Sequence, residues 1–285
     1  MKTDLKIISA YKGMLKYVEI AKVTDKIDRK KMWSEFVIEP YWNEWAAGQF
    51  NEDKMKQQLA NPIQDIDRLE HEVKLLMTSN IEQQIEEAFQ KIFQILPSPE
   101  PGKTVCIYVN TEFNESVHGV VGSCVGDNIL IQVNPVIIRW QNYLPWVLAH
   151  EHHHCIWGYN YYYLQGNGKH DFLTAIITEG EADSFGQAIC PDLLPPLWVR
   201  VLSIEQELEQ WNKLKEFLSN DDSMELHNRF FFGDAKTNTP PSVGYTIGFN
   251  IVQSYVKYHP EISFIELVKK DAHEILYESG YNKPG

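Results

Sequence analysis

The run His150-Glu151-His152-His153-His154 constrains this chain more than any other stretch, because it can act as a unit only on an α-helix. Residues four apart on a helix differ by about 40° in direction and about 6 Å in height, so His150 and His154 can aim both imidazoles at one metal ion. Glu151 then points sideways toward the open coordination position, where a carboxylate can take a proton from a water attacking a carbonyl. The two middle positions of such helices are usually apolar or uncharged, and His152 and His153 meet that condition while unprotonated. On these five residues alone a second reading stays open: a histidine-rich helix surface that binds metal adventitiously.

A zinc enzyme needs a third protein ligand and a helix to carry it. Residues 171–189 read as that helix, opened by an Asp cap and stopped before Pro191. Glu179 and Asp183 share one face of it, so Glu179 can ligate zinc while Asp183 reaches the far nitrogen of a ligating histidine. Taken without the histidines, the same pair reads as an ordinary exposed acidic face. Gly180 and Gly186 weigh against that, since a glycine costs a helix about 1 kcal/mol and is usually kept for close packing. The close packing is expected against the histidine helix. Glu181, about 200° around from Glu179, is expected in solvent or on a pocket rim.

Together with the histidine run, Glu179-Gly180-Glu181-Ala182-Asp183 and Gly244-Tyr245-Thr246-Ile247-Gly248-Phe249 give residues 103–260 a resemblance to a known family. They resemble the YjaZ-like family of predicted zinc-dependent proteases and, more broadly, the gluzincins, which share H-E-x-x-H followed by E-x-x-x-D. The resemblance implies Zn2+ held by His150, His154 and Glu179, with Glu151 as general base and Asp183 orienting a ligating histidine. This chain departs from the pattern in two places. Glu181 stands where the family more often has an apolar residue, and the interval from His154 to Glu179 is longer than in the thermolysin-like branch, which an extended loop would accommodate. Tyr245 has two open readings, a donor to the oxyanion of a tetrahedral intermediate or a plain core tyrosine.

The 285 residues allow one large or two small domains with a sizeable core. A formal charge of −13 argues against nucleic acid or an anionic membrane as partner and leaves room for basic peptides. No apolar run approaches the roughly 20 residues that span a bilayer, and residues 1–13 lack a signal-peptide core, so a cytoplasmic protein is expected. Cys106, Cys124, Cys155 and Cys190 show no C-x-x-C or disulfide-framework spacing and read as buried thiols of a reducing compartment. Cys155, next to His154, is the one thiol placed to compete for metal.

The expected fold is α+β and mostly helical: a helical region over 1–96, then a zincin-like metallopeptidase domain over 103–285 with a small antiparallel sheet. Ile66, Leu69, Val73, Leu76 and Met77 follow helical spacing, as do Ile81, Ile85, Ala88, Phe89 and Ile92. Trp33, Phe36, Tyr41, Trp42 and Trp45 read as core, with a ligand groove as the other option. After the stop at residues 97–102, β-branched runs at 104–109 and 129–133 read as strands, with Gly126-Asp127-Asn128 as a turn. Residues 117–122 form a further strand or sheet edge, where an extended peptide would pair in a gluzincin-like site; an ordinary hairpin is the alternative. His118 reads as structural, and His170 as a surface histidine near the start of the second metal helix. Pro145 fits the first turn of the histidine helix, and residues 197–218 and 243–258 read as helices. The function expected is a zinc peptidase acting on peptides or proteins; the alternative is a non-catalytic zinc-binding interaction or sensor protein.

Overall fold

The structure is a computed structural model and describes residues 4–23, 25, 28–49 and 52–281. Its contacts divide the chain into two compact units, residues 1–155 and 156–285. The segment 97–102 lies inside the first unit, between a helix and a strand.

The first unit is built on a sheet of four strands, β1 (Leu5–Ile8), β2 (Lys103–Val109), β3 (Val120–Val125) and β4 (Asn128–Val133), in the order β1-β2-β4-β3. Only the β3–β4 hairpin, turned at Gly126 (φ +59°), is antiparallel; β1–β2 and β2–β4 are parallel. The sheet is therefore mixed rather than antiparallel. The extra parallel partner, β1, comes from a stretch read as helical, because four residues are too few to display a period of two. As the interior strand of a parallel pairing, β2 is buried along almost its whole length.

The crossover from β1 to β2 carries the helices α1 (Tyr11–Ala21), α2 (Arg29–Trp33), α3 (Glu39–Trp45), α4 (Glu52–Leu59), α5 (Ile66–Met77) and α6 (Ile81–Ile95). Every apolar position expected on α5 and α6 is buried except Met77, at the exposed end of α5. Asp65 caps α5 by accepting from the Arg68 amide. Trp33, Trp42 and Trp45 lie in the core, with Trp42 and Trp45 edge to face at 5.5 Å. Phe36 and Tyr41 are partly accessible.

Helix α7 (Trp140–Gly158) carries the histidine run. It starts earlier than expected, so Pro145 sits in its interior and not in its first turn. A proline there leaves the carbonyl four residues back without its helical partner. That residue, Gln141, is exposed, so water can take the acceptor.

The second unit is helical: α8 (Phe172–Ile189), α9 (Ile204–Leu214), α10 (Met224–His227), α11 (Val243–Tyr258), α12 (Phe264–Leu267) and α13 (Ala272–Glu278). The α8 and α11 boundaries match the sequence reading. Asp171 accepts from the Thr174 amide at 2.9 Å as the α8 cap. These two helices cross backbone to backbone. A Cβ on Gly180 would lie 2.2 Å from the Gly248 carbonyl oxygen, and one on Gly248 would lie 2.2 Å from that of Ile176. Gly180 thus serves the close contact with α11. Among the described residues no helix is long and apolar enough to cross a membrane.

Candidate metal centre

Helix α7 is no histidine-rich surface. His152 and His153 are fully buried, while His150 and His154 keep partial access to solvent. The His152 ring packs edge-on against Phe89 and Phe93, and its Nε2–H donates to the Leu96 carbonyl at 2.8 Å. Burial, helped by the Lys103 ammonium, brings its pKa down to about 3, so it stays neutral. Ring packing meets the apolar requirement of the motif's middle position with an imidazole.

The i,i+4 spacing brings the His150 and His154 Nε2 atoms to 3.0 Å. One donor atom each from His150, His154 and Glu179 lie within 4.8 Å of one another. Tetrahedral zinc with bonds of about 2.0–2.2 Å holds adjacent ligands on the order of 3.3 Å apart. Two imidazoles and one carboxylate also match the donor chemistry of a zinc site that keeps its fourth position open. The residues present fit the metal.

Glu151 is 8% exposed, and its place is set by the sheet. A Cβ on Gly122 of β3 would lie 2.2 Å from Glu151 Cγ and 2.8 Å from Oε1. A glycine in the strand is what lets the carboxylate side chain lie there.

Asp183 is fully buried, and both of its oxygens accept from the Trp198 indole N–H at 3.2 Å. The Trp198 carbonyl in turn accepts from the Thr246 hydroxyl of α11 at 3.1 Å. The helix expected over residues 197–218 is broken: Trp198 lies in a 3-10 turn, Leu197–Val199, after Pro195-Pro196, and α9 begins only at Ile204 behind its Ser203 cap. Tyr245, partly accessible, packs edge-on against Phe231 at 4.9 Å.

Glu181 is neither solvated nor exposed. It is 1% accessible and lines a cavity of about 220 Å³ with Trp157, Tyr161, Thr174 and Thr178. Burial pushes its carboxyl well above the usual carboxylate range. The helical wheel placed it correctly, 200° from Glu179, but α8 is buried on nearly every face, so the far side is not water. His170 is held between the Tyr162 hydroxyl at 3.0 Å and Asp222 at 3.2 Å. His118 stacks on Tyr143 at 3.6 Å.

The spacing of the cysteines hid one contact: Cys124 Sγ and Cys155 Sγ are 3.2 Å apart. Burial alone would raise the Cys155 thiol, but the hydrogen bond with Cys124 and the Lys103 charge bring it down to about 7. The same bond, with burial, pushes the Cys124 thiol well above its ordinary range.

A mixed sheet, a helix with two histidines one turn apart and a second helix supplying a carboxylate define a zincin-like α+β protein. The chain belongs to the family described as "Predicted Zn-dependent protease (DUF2268)", whose model matches residues 81–277. This agrees with the YjaZ-like resemblance in the motifs. Comparison with curated proteins and with solved structures gave no match.

Proposed function

We propose that this protein is a zinc-dependent peptidase in which Glu151 is the general base. The observation that carries the reading is the convergence of His150, His154 and Glu179; its family membership supports it. Zinc held by those three residues would supply Lewis acidity, polarising the scissile carbonyl and lowering the pKa of water toward about 7. Glu151 takes the proton of the attacking water and passes it to the leaving amine nitrogen. Tyr245 donates its hydroxyl to the oxygen that gains charge, and Asp183 holds a ligating histidine in orientation. The substrate is an extended peptide paired along β3, an edge strand of the sheet. The formal charge of −13 favours basic sequences.

Untagged protein prepared without a metal-affinity column is expected to carry near-stoichiometric zinc by elemental mass spectrometry, and Glu179→Ala to lose most of it. Retained zinc in the variant would move the third ligand elsewhere. Zinc-loaded protein that cleaves nothing in a broad peptide library would instead support a non-catalytic zinc-binding protein.

The Gly122 contact makes a finer prediction. Gly122→Ala forces the Glu151 side chain to shift, and a displacement near 1 Å can cost about 10²-fold in rate. We expect kcat/KM to fall by that order at unchanged zinc content. An unchanged rate would show that the strand does not position the base.

A further inference from the structure

We propose that Cys124 and Cys155 are a redox modification site: a thiol pair that a peroxide closes to an intramolecular disulfide and a small thiol reductant reopens. The two sulfurs lie 3.2 Å apart, and a disulfide needs about 2.05 Å, so they have little more than about 1 Å to close. Cys124 is partly accessible and Cys155 buried, so an oxidant reaches the pair from the Cys124 side and finds the two sulfurs together. Cys106 is fully buried in β2 and Cys190 follows α8 in the other unit.

The pair belongs to a strand and a helix that run in step. Residues two apart on a strand are separated by about 6.5–7 Å, and residues four apart on a helix by about 6 Å. Gly122 meets Glu151, and Cys124 meets Cys155. One face of β3 therefore tracks one face of α7 over two successive contacts.

The chemistry balances with one peroxide. One sulfur of the pair, as its thiolate, attacks a peroxide oxygen, the O–O bond breaks, and the proton that thiol gave up leaves with the departing oxygen as water. The other sulfur then displaces the oxygen of the resulting sulfenic acid, its own proton leaves with that oxygen as a second water, and the S–S bond forms. Two thiols lose two electrons in all, and one peroxide becomes two waters.

Closing the bond draws β3 onto α7 one residue from His154, at a level where Gly122 already touches Glu151. If the peptidase reading holds, on which this consequence alone rests, the oxidised protein turns over more slowly because Glu151 is displaced.

The test is a thiol count and a non-reducing peptide map of the full chain after equimolar hydrogen peroxide. We expect two of the four thiols to be lost, one cross-linked peptide joining Cys124 to Cys155, and full recovery with dithiothreitol. Cys124→Ser is expected to keep its three thiols under the same treatment. Retention of all four thiols in the wild type, or oxidation of Cys124 to the sulfinic acid without a cross-link, would overturn the proposal. Since the readout is mass and not turnover, the result stands whether or not the protein cleaves peptides.

Discussion

Glu151→Gln is expected to lower peptide hydrolysis by about 10²–10⁴-fold while zinc content stays that of the wild type. The substitution keeps the shape of the side chain, so it still fits against Gly122 in the space where a Cβ would lie 2.2 Å from Cγ. It removes only the ability to accept a proton. The two imidazoles and the Glu179 carboxylate, which converge within 4.8 Å, are untouched. Matched assays of zinc content and kcat separate the two roles. A variant that loses metal would make Glu151 part of the binding site, and one that keeps full turnover would remove it from the mechanism.

The second large effect concerns stability. Gly248→Val is expected to cost about 3 kcal/mol or more, visible as a fall in Tm of roughly 6–12 °C. The side chain would be driven into the Ile176 carbonyl, 2.2 Å from the Cβ position, with the Gly180 amide at 3.3 Å. Both are backbone atoms of α8, so no rotamer change makes room and the helices must part. Parting them opens a core in which Phe172, Ile176, Ile247 and Ile251 are fully buried. Gly158→Ala is the control: nothing lies within 4 Å of its Cβ position, and the change should stay within about 1 kcal/mol. Equal melting curves for both variants would show that α8 and α11 do not meet at these glycines.

The convergence of His150, His154 and Glu179 was legible because its signal is local. One helical turn fixes the relation of His150 to His154, and an Asp cap with a proline stop fixes the helix that carries Glu179. The same kind of signal gave α11 its limits. Long-range relations were not legible. Nothing near Leu5–Ile8 says that it pairs in parallel with a strand starting at Lys103. Gly180 signalled a close neighbour but not which helix, and Glu181 had an angle but no indication of what covers it. Cys124 and Cys155 are 31 residues apart in the chain, too far for spacing to suggest a thiol pair. Trp198 falls at the start of the stretch read as a helix over 197–218, and its acceptor Asp183 lies 15 residues away, where no local signal connects them. The face Asp183 shares with Glu179 follows from helical spacing; its indole partner emerged only with the fold.

The parallel pairing of β1 with β2 also sets a sequence of events during synthesis. The ribosome adds about 5–20 residues per second, so β1, complete at Ile8, waits roughly 5–20 s before Val109 completes the strand it pairs with. Meanwhile the intervening helices can form from contacts close in sequence, but β1 has only its own unpaired amide edge. Such an edge invites pairing with other chains. Lys6, whose ammonium reaches Glu44 at 2.5 Å in the finished fold, places a charge in the middle of that short strand. A charge at that position disfavours edge-to-edge pairing while the strand is unpaired, and in the finished fold the same lysine is an ion-pair partner.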